Sequence, residues 1–504
     1  MPTQAASDRA LDFLQHLAVR SDEPMRIANV VALRSVGLKP DVGRLLSQLS
    51  TREMGAATSS IRYRWELSHR RVDPPDYAGP VASWKAWRPR EQPVLEQDPF
   101  VFEERLTVPI LVAEASHLLE ELSLDLQPGG GISLVVGEST PAMARRMLNE
   151  ADPVFRRDLA SHLQMMNSWG DTFALFCLSQ RPRAVARHRP LALAMAASYA
   201  PGAQSGIVRG SRFPFHEVPL VSATAQLAAG LLALGCEFEL LGRMITSLRR
   251  ARKPAGGFAD AQEPEDVLTT LAAAQLLAGL DPQFDPGPTL EYFLRCQHER
   301  GFWRALGPEV PWLSALVLRW IWSAQKPFPE RFRWPSSNEA NTDRKTNIPG
   351  FTYFLELCEL MKSCSCLAVT RLPFAFIDLV GFRAFNNQCG QDAGDQALEE
   401  IAAALAQLPG LCVVRDGGDE FLLIGAPLRD PLMPVLQQLK ADWPARFHAR
   451  FGPDVPLVRM RALIGHVAGA RLRDARETLG RRIGELKNVK EDGGAVMRDI
   501  GPIA

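Results

Sequence analysis

The chain has 504 residues, with Lys plus Arg and Asp plus Glu at 57 each and a hydrophobic fraction of 46%. Such a length suggests about two to four domains with sizeable cores. The even charge balance removes the electrostatic case for a general nucleic-acid binder or a membrane-surface protein.

The N-terminus, MPTQAASDRALDFLQHL, lacks the basic start and apolar core of a signal peptide. Helical spacing of apolar residues then predicts helices at 10–19, 42–50 and 112–126. Residues 129–140, GGGISLVVGEST, read as a short strand pair or a turn. The longest uncharged run, 218–236, contains Pro, Ser, Thr and Gln, and predicts a buried helix rather than a membrane span.

A loose repeat runs through 210–325. RFPFHEVPLVSATAQLAAGLLALG, GGFADAQEPEDVLTTLAAAQLLAGL and RGFWRALGPEVPWLSALVLRWIW each have an aromatic or Gly-Phe start, a Pro-containing loop and an Ala/Leu-rich helix. The offset of roughly 44 to 46 residues is that of helical-hairpin repeats. Residues 1–325 are thus expected to be a helical sensory or scaffold region. The segment 326–350, rich in Pro, Ser, Asn and charge, reads as a connection, with 326–340 as the linker proper.

From 341 to about 500 the character changes to alternating strand-like and helical stretches, predicting an α+β domain with helices on a mostly antiparallel sheet. FAFIDLVGF and CVVRDGGDEFLLIG are its chemically loaded strands. Gly417 and Gly418 can turn a hairpin tightly and leave room for a bulky ligand. Asp419 and Glu420 beside a phosphate would repel it unless divalent cations intervene, and Mg²⁺ favours one or two carboxylates plus substrate phosphates. Asp378, at the end of its own strand, is the partner carboxylate that would share such cations with Asp419. That donor set suits phosphoryl transfer.

Eight cysteines are scattered along the chain, and the closest pair, Cys364 and Cys366, has neither zinc-site nor redox spacing. All eight are expected to be reduced thiols of a cytoplasmic protein.

Residues 340–497 resemble the GGDEF family of diguanylate cyclases. The signature Gly417-Gly418-Asp419-Glu420-Phe421 is intact, and DLVGFRAFNN keeps Asp378, Phe382 and Asn386 of the family's second element, followed by Gly390, Gly394 and Asp395. The opening element survives as DRKTNIPGF, with Asp343, Thr346 and Pro349. The resemblance implies that two GTP molecules yield cyclic di-GMP and pyrophosphate across a homodimer. It implies Asp378, Asp419 and the Leu379 carbonyl as Mg²⁺ ligands, and Glu420 beside the reacting 3′-hydroxyl. Asn386 and Asp395 would read the guanine edge, Gly417 and Gly418 would admit the nucleotide, and Lys490 would neutralise phosphate. Arg383 stands where the family has Lys, and Arg415 would either hold the hairpin or contact phosphate. Asn387, Gln391, Val380 and Gly494 depart from the family pattern, which leaves a non-catalytic nucleotide-binding module as the alternative. No product-inhibition motif stands upstream of the signature, so feedback through 405–412 is not expected.

Residues 210–325 more loosely resemble the α/α repeats of prenyltransferases and squalene cyclases. Asp260, Glu263, Glu265 and Asp266 do not form that family's acid motif, and Cys296 with His298 lacks a third zinc ligand. A scaffold that senses an unidentified ligand or protein is therefore expected over a lipid-handling enzyme.

Overall fold

The computed structural model describes residues 2–19, 36–37, five isolated helical positions between 172 and 196, 206–212, 216–260, 264–304, 311–429, 431–488 and 495–503. The predicted helices at 42–50 and 112–126, the segment 129–140, and Lys490, Gly493 and Gly494 lie outside these residues. Two compact units form. One comprises Met1–Cys236, Ser247–Leu277 and Asp285–Gln325, and the other Glu237–Thr246, Ala278–Phe284 and Lys326–Ala504.

In the first unit, α1 (Pro2–Val19) is followed by a hairpin of β1 (Val208–Arg212) and β2 (His216–Leu220), then by α2 (Val221–Leu234). Next come α3 (Phe238–Ala251), which lies in the second unit as far as Thr246, α4 (Val267–Leu280), which lies there from Ala278 on, α5 (Gly287–Cys296) and α6 (Pro311–Ala324). The repeat has a structural counterpart. α2, α4 and α6 are each 14 residues long and begin at 221, 267 and 311, offsets of 46 and 44. The fourth residue of each offers a hydroxyl to an upstream backbone amide: Val208 N–H donates to Thr224 Oγ1 at 2.9 Å, Phe258 N–H to Thr270 Oγ1 at 2.9 Å, and Trp303 N–H to Ser314 Oγ at 3.0 Å. A backbone amide that would otherwise be buried unpaired is satisfied the same way three times. His298 stacks on Phe302 with ring centroids 4.3 Å apart, and its Nδ1 accepts the Arg300 N–H.

The second unit holds α7 (Phe328–Arg331), α8 (Phe351–Ser363), α9 (Ser365–Val369), β3 (Arg371–Val380), α10 (Phe382–Cys389) and α11 (Gln391–Ala406). It continues with β4 (Leu411–Gly417), β5 (Glu420–Gly425), α12 (Leu432–Phe451), β6 (Arg459–Ala468), α13 (Leu472–Ile483) and β7 (Met497–Pro502). The five strands lie in the order β4-β5-β3-β6-β7. All neighbours are antiparallel except β6 and β7, so the sheet is mixed.

Central β3 is buried at eight consecutive positions, which requires helices on both faces. Ala375, Ile377 and Leu379 face α11 and α12, whose Ile401, Leu405, Trp443 and Phe447 fill that layer. On the other face, Phe374 stacks with Phe354 of α8, and Gly480 of α13 lies against the Phe376 ring.

The segment after 326 is more than a polar linker. Phe328, Arg331 and Phe332 are buried, Arg333 N–H bonds the Gly279 carbonyl at 3.0 Å, and Tyr353 Oη donates to the Pro335 carbonyl at 2.7 Å. Its aromatic residues carry enough apolar surface to pack despite the surrounding Pro and charge. The first residues of α3 belong to the same unit: Ser365 N–H donates to Thr246 Oγ1 at 2.9 Å. The Cys364 and Cys366 sulfurs are 3.3 Å apart as free thiols.

Candidate active site

The β4–β5 hairpin turns through Gly418 and Asp419, because Gly417 pairs with Glu420 across the ladder. Gly418 has φ +51° and Gly417 φ +155°, values that residues with a Cβ rarely adopt. A Cβ at either would meet nothing within 4 Å, so the space over the turn is open. Asp416 is the extra residue of a bulge between Arg415 and Gly417. Arg415 braces the bend: Nη1 donates to Asp343 Oδ1 at 2.9 Å and Nη2 to the Gly418 carbonyl at 2.8 Å. These two bonds tie the opening loop and the turn to one guanidinium.

β3 delivers the partner acid. Asp378 stands directly opposite Glu420 in the β3–β5 register, and Leu379 N–H reaches the Asp419 carbonyl at 3.2 Å. Burial pushes the Glu420 carboxyl above its ordinary value, and the charges of Asp416, Asp378 and Asp419 push it the same way. Two arginines answer this acidity. Arg476 of α13 grips Asp416 through Nε at 3.0 Å and Nη2 at 2.5 Å, and lies 5.1 Å from the centre of the Phe351 ring. Arg461 of β6, in register with Asp378, places Nε 2.8 Å from Asp378 Oδ2. Among the described residues, no three His, Cys, Asp or Glu side chains converge as a metal-binding group.

The expected base readers sit on α10 and α11. Gly394 is the reason Asn386 can lie flat against α11: a Cβ there would fall 1.9 Å from Asn386 Oδ1. That oxygen is buried and has no hydrogen-bond partner, a group that a ligand N–H would satisfy. Asp395, next to Gly394, holds Lys345 at 2.6 Å on the protein surface. Arg383 is exposed on α10.

The opening loop ties these groups together. Asp343 Oδ1 accepts Thr346 N–H at 2.9 Å, Thr346 Oγ1 at 2.7 Å and Arg415 Nη1 at 2.9 Å. Burial alone would raise the Asp343 carboxyl, but the bonds from Thr346 and Arg415 hold it below its ordinary value. The retained Asp, Thr and Pro of this loop therefore have a structural task. The Pro349 carbonyl accepts the Arg415 backbone N–H at 2.8 Å.

Sequence reasoning missed Asp416, Arg461, Arg476 and Lys345. Arg461 had one signal, a charge between Met460 and Ala462 in an otherwise apolar run. Arg476 had none, since charges fill its exposed helix and only the fold selects the one above the bulge.

Residues 340–449 match the family model described as "Diguanylate cyclase, GGDEF domain". No curated protein matches the chain. Among solved structures, the coiled coil and GGDEF domain of DgcB from Caulobacter crescentus, in complex with c-di-GMP, is 18% identical with a TM-score of 0.26, covering 32% of this chain and 86% of that one. The GGDEF domain of DgcB alone is 20% identical with a TM-score of 0.26, covering 32% of this chain and 98% of that one. Diguanylate cyclase SiaD in complex with its activator SiaC, from Pseudomonas aeruginosa, is 25% identical with a TM-score of 0.23, covering 27% of this chain and 58% of that one. The hairpin signature and the family match agree: the C-terminal part of this chain carries a GGDEF domain over residues 340–449.

Proposed function

We propose that the second unit is a diguanylate cyclase that joins two GTP molecules into cyclic di-GMP with release of two pyrophosphates. The observation that carries this reading is the register of Asp378 opposite Glu420, beside a glycine turn with open space above it. Each protomer of a homodimer would present one GTP. The 3′-oxygen of each would bond the α-phosphorus of the other as the α–β phosphoanhydride bond breaks.

The donor chemistry fits Mg²⁺, because the Asp416, Asp378 and Asp419 carboxylates crowd a Glu420 already raised by burial, and a hard cation is favoured among them. Asp378, the Leu379 carbonyl and Asp419 are the groups that would hold it. Bound Mg²⁺ would supply charge neutralisation at the phosphates. The chain's own residues do the remainder. Glu420, with its raised carboxyl, is a better proton acceptor for the 3′-hydroxyl than an ordinary glutamate. Asn386 and Asp395 accept from guanine N–H groups. Gly417 and Gly418 give the phosphates access, with Arg383 and Lys490 as further phosphate contacts.

The helical first unit is read as the regulator. A cytoplasmic setting accords with the free thiols, and among the described residues no helix is long and apolar enough to cross a membrane.

A second reading, GTP binding without turnover, is favoured by one observation: Asp378 already carries a guanidinium partner. Incubation of the dimeric protein with Mg²⁺ and GTP, with products identified by mass spectrometry, tests the first reading. Cyclic di-GMP is the expected product. GTP binding by calorimetry with no cyclic dinucleotide formed would select the second.

A further inference from the structure

We infer that Arg461 is a tethered cation that takes the place of one divalent metal ion at Asp378. This inference rests on the nucleotide-binding reading of the site and refines it.

Glu420, Asp378 and Arg461 form one row across β5, β3 and β6, each directly opposite the next in register. Side chains opposite one another project from the same face of a sheet. The row therefore reads acid, acid, base toward a single layer. The Arg461 and Asp378 side chains are only 9% and 6% exposed, and Nε lies 2.8 Å from Oδ2. A surface pair of this kind exchanges freely with water and ions. This one is withdrawn from water, so the arginine's charge depends on the acid.

The contact through Nε is one of charge. Neither Arg461 Nε nor Nη1 has a hydrogen bond of good geometry, although both atoms are buried. No other carboxylate is found to pair with Arg461 among the described residues. The guanidinium is thus held where it is by Asp378.

A second divalent ion arriving at Asp378 would meet this fixed positive charge at Oδ2, the oxygen that a first ion shared with Asp419 leaves free. To bind there it must expel a buried arginine and leave that charge unpaired. Arg461 is accordingly a positioning residue that limits the site to one divalent ion per nucleotide.

The test counts ions. The full-length protein is saturated with a GTP analogue whose α–β bridge cannot be cleaved, and Mn²⁺ is titrated with free ion read by electron paramagnetic resonance. The expected result is one Mn²⁺ per bound nucleotide in the wild type and in Arg461→Lys, which keeps the charge. Arg461→Gln should bind two, the second at least tenfold more tightly than any second ion in the wild type. Two ions in the wild type overturn the inference, and that measurement stands even if the glutamine variant fails to fold. A folded glutamine variant with one ion overturns it as well. If no variant takes up nucleotide at any Mn²⁺ concentration, the functional reading itself falls and carries this inference with it.

Discussion

Asp378 and Glu420 face each other directly across β3 and β5, and the Asp378 charge is one of those that push the Glu420 carboxyl upward. Two acids in register destabilise a sheet when both are ionised. That the fold keeps them together, with Asp416 and Asp419 alongside, marks the row as a site maintained against stability.

Glu420→Gln should separate function from stability. Removing one ionised acid relieves the repulsion, so the melting temperature should hold or rise. Cyclic dinucleotide formation should fall by roughly 10² to 10⁴, the usual worth of a general base. Paired melting and product assays check this, and unchanged turnover would remove Glu420 from the reaction.

Arg476→Ala should move the pH dependence of turnover. Arg476 is a neighbour that lowers the Glu420 carboxyl, and it also neutralises Asp416. Without it, Glu420 should protonate at a still higher pH. The acid limb of the rate profile should therefore shift upward, with the rate at low pH reduced more than the alkaline plateau. A limb that stays in place would show that another group controls it.

Gly394→Ala addresses the base pocket. The added methyl would lie 1.9 Å from Asn386 Oδ1, so the asparagine must rotate away. GTP affinity should drop by about tenfold or more, the worth of roughly one good hydrogen bond to a buried group. Calorimetry measures it, and circular dichroism should show helix content retained.

Asp343→Asn and Arg415→Ala test the brace on the hairpin. Each removes a partly buried charge-assisted bond, with an expected cost of about 1–3 kcal/mol in urea unfolding at neutral pH. The Asp343 carboxyl is held below its ordinary value in the folded state. Its stabilisation is therefore full above the ordinary carboxylate range and fades as pH falls through the depressed value. Asp343→Asn should flatten that part of the acid unfolding curve, whereas a curve identical to the wild type would deny the brace.

Much of the C-terminal unit was legible beforehand because its evidence is local. Gly417, Gly418, Asp419 and Glu420 are contiguous, and a two-glycine bend between apolar runs has few other foldings. The repeat at 210–325 was legible for a similar reason, since its period survives in composition. The matched hydroxyls of Thr224, Thr270 and Ser314 could have been aligned from the helix starts alone. The apolar strap after 326 was hidden by its Pro and charge content.

The sequence by itself determined the hairpin, the acid at the end of β3, and the Asn386, Gly394 and Asp395 set, because each lies within a few residues of its own signal. Only the tertiary structure decided which cations those acids meet. Arg461 lies 83 residues from Asp378 and Arg476 lies 60 from Asp416, and strand register together with helix packing brings each pair together. Period and composition cannot choose among the chain's many arginines, since the choice depends on which side chains share one face of a sheet.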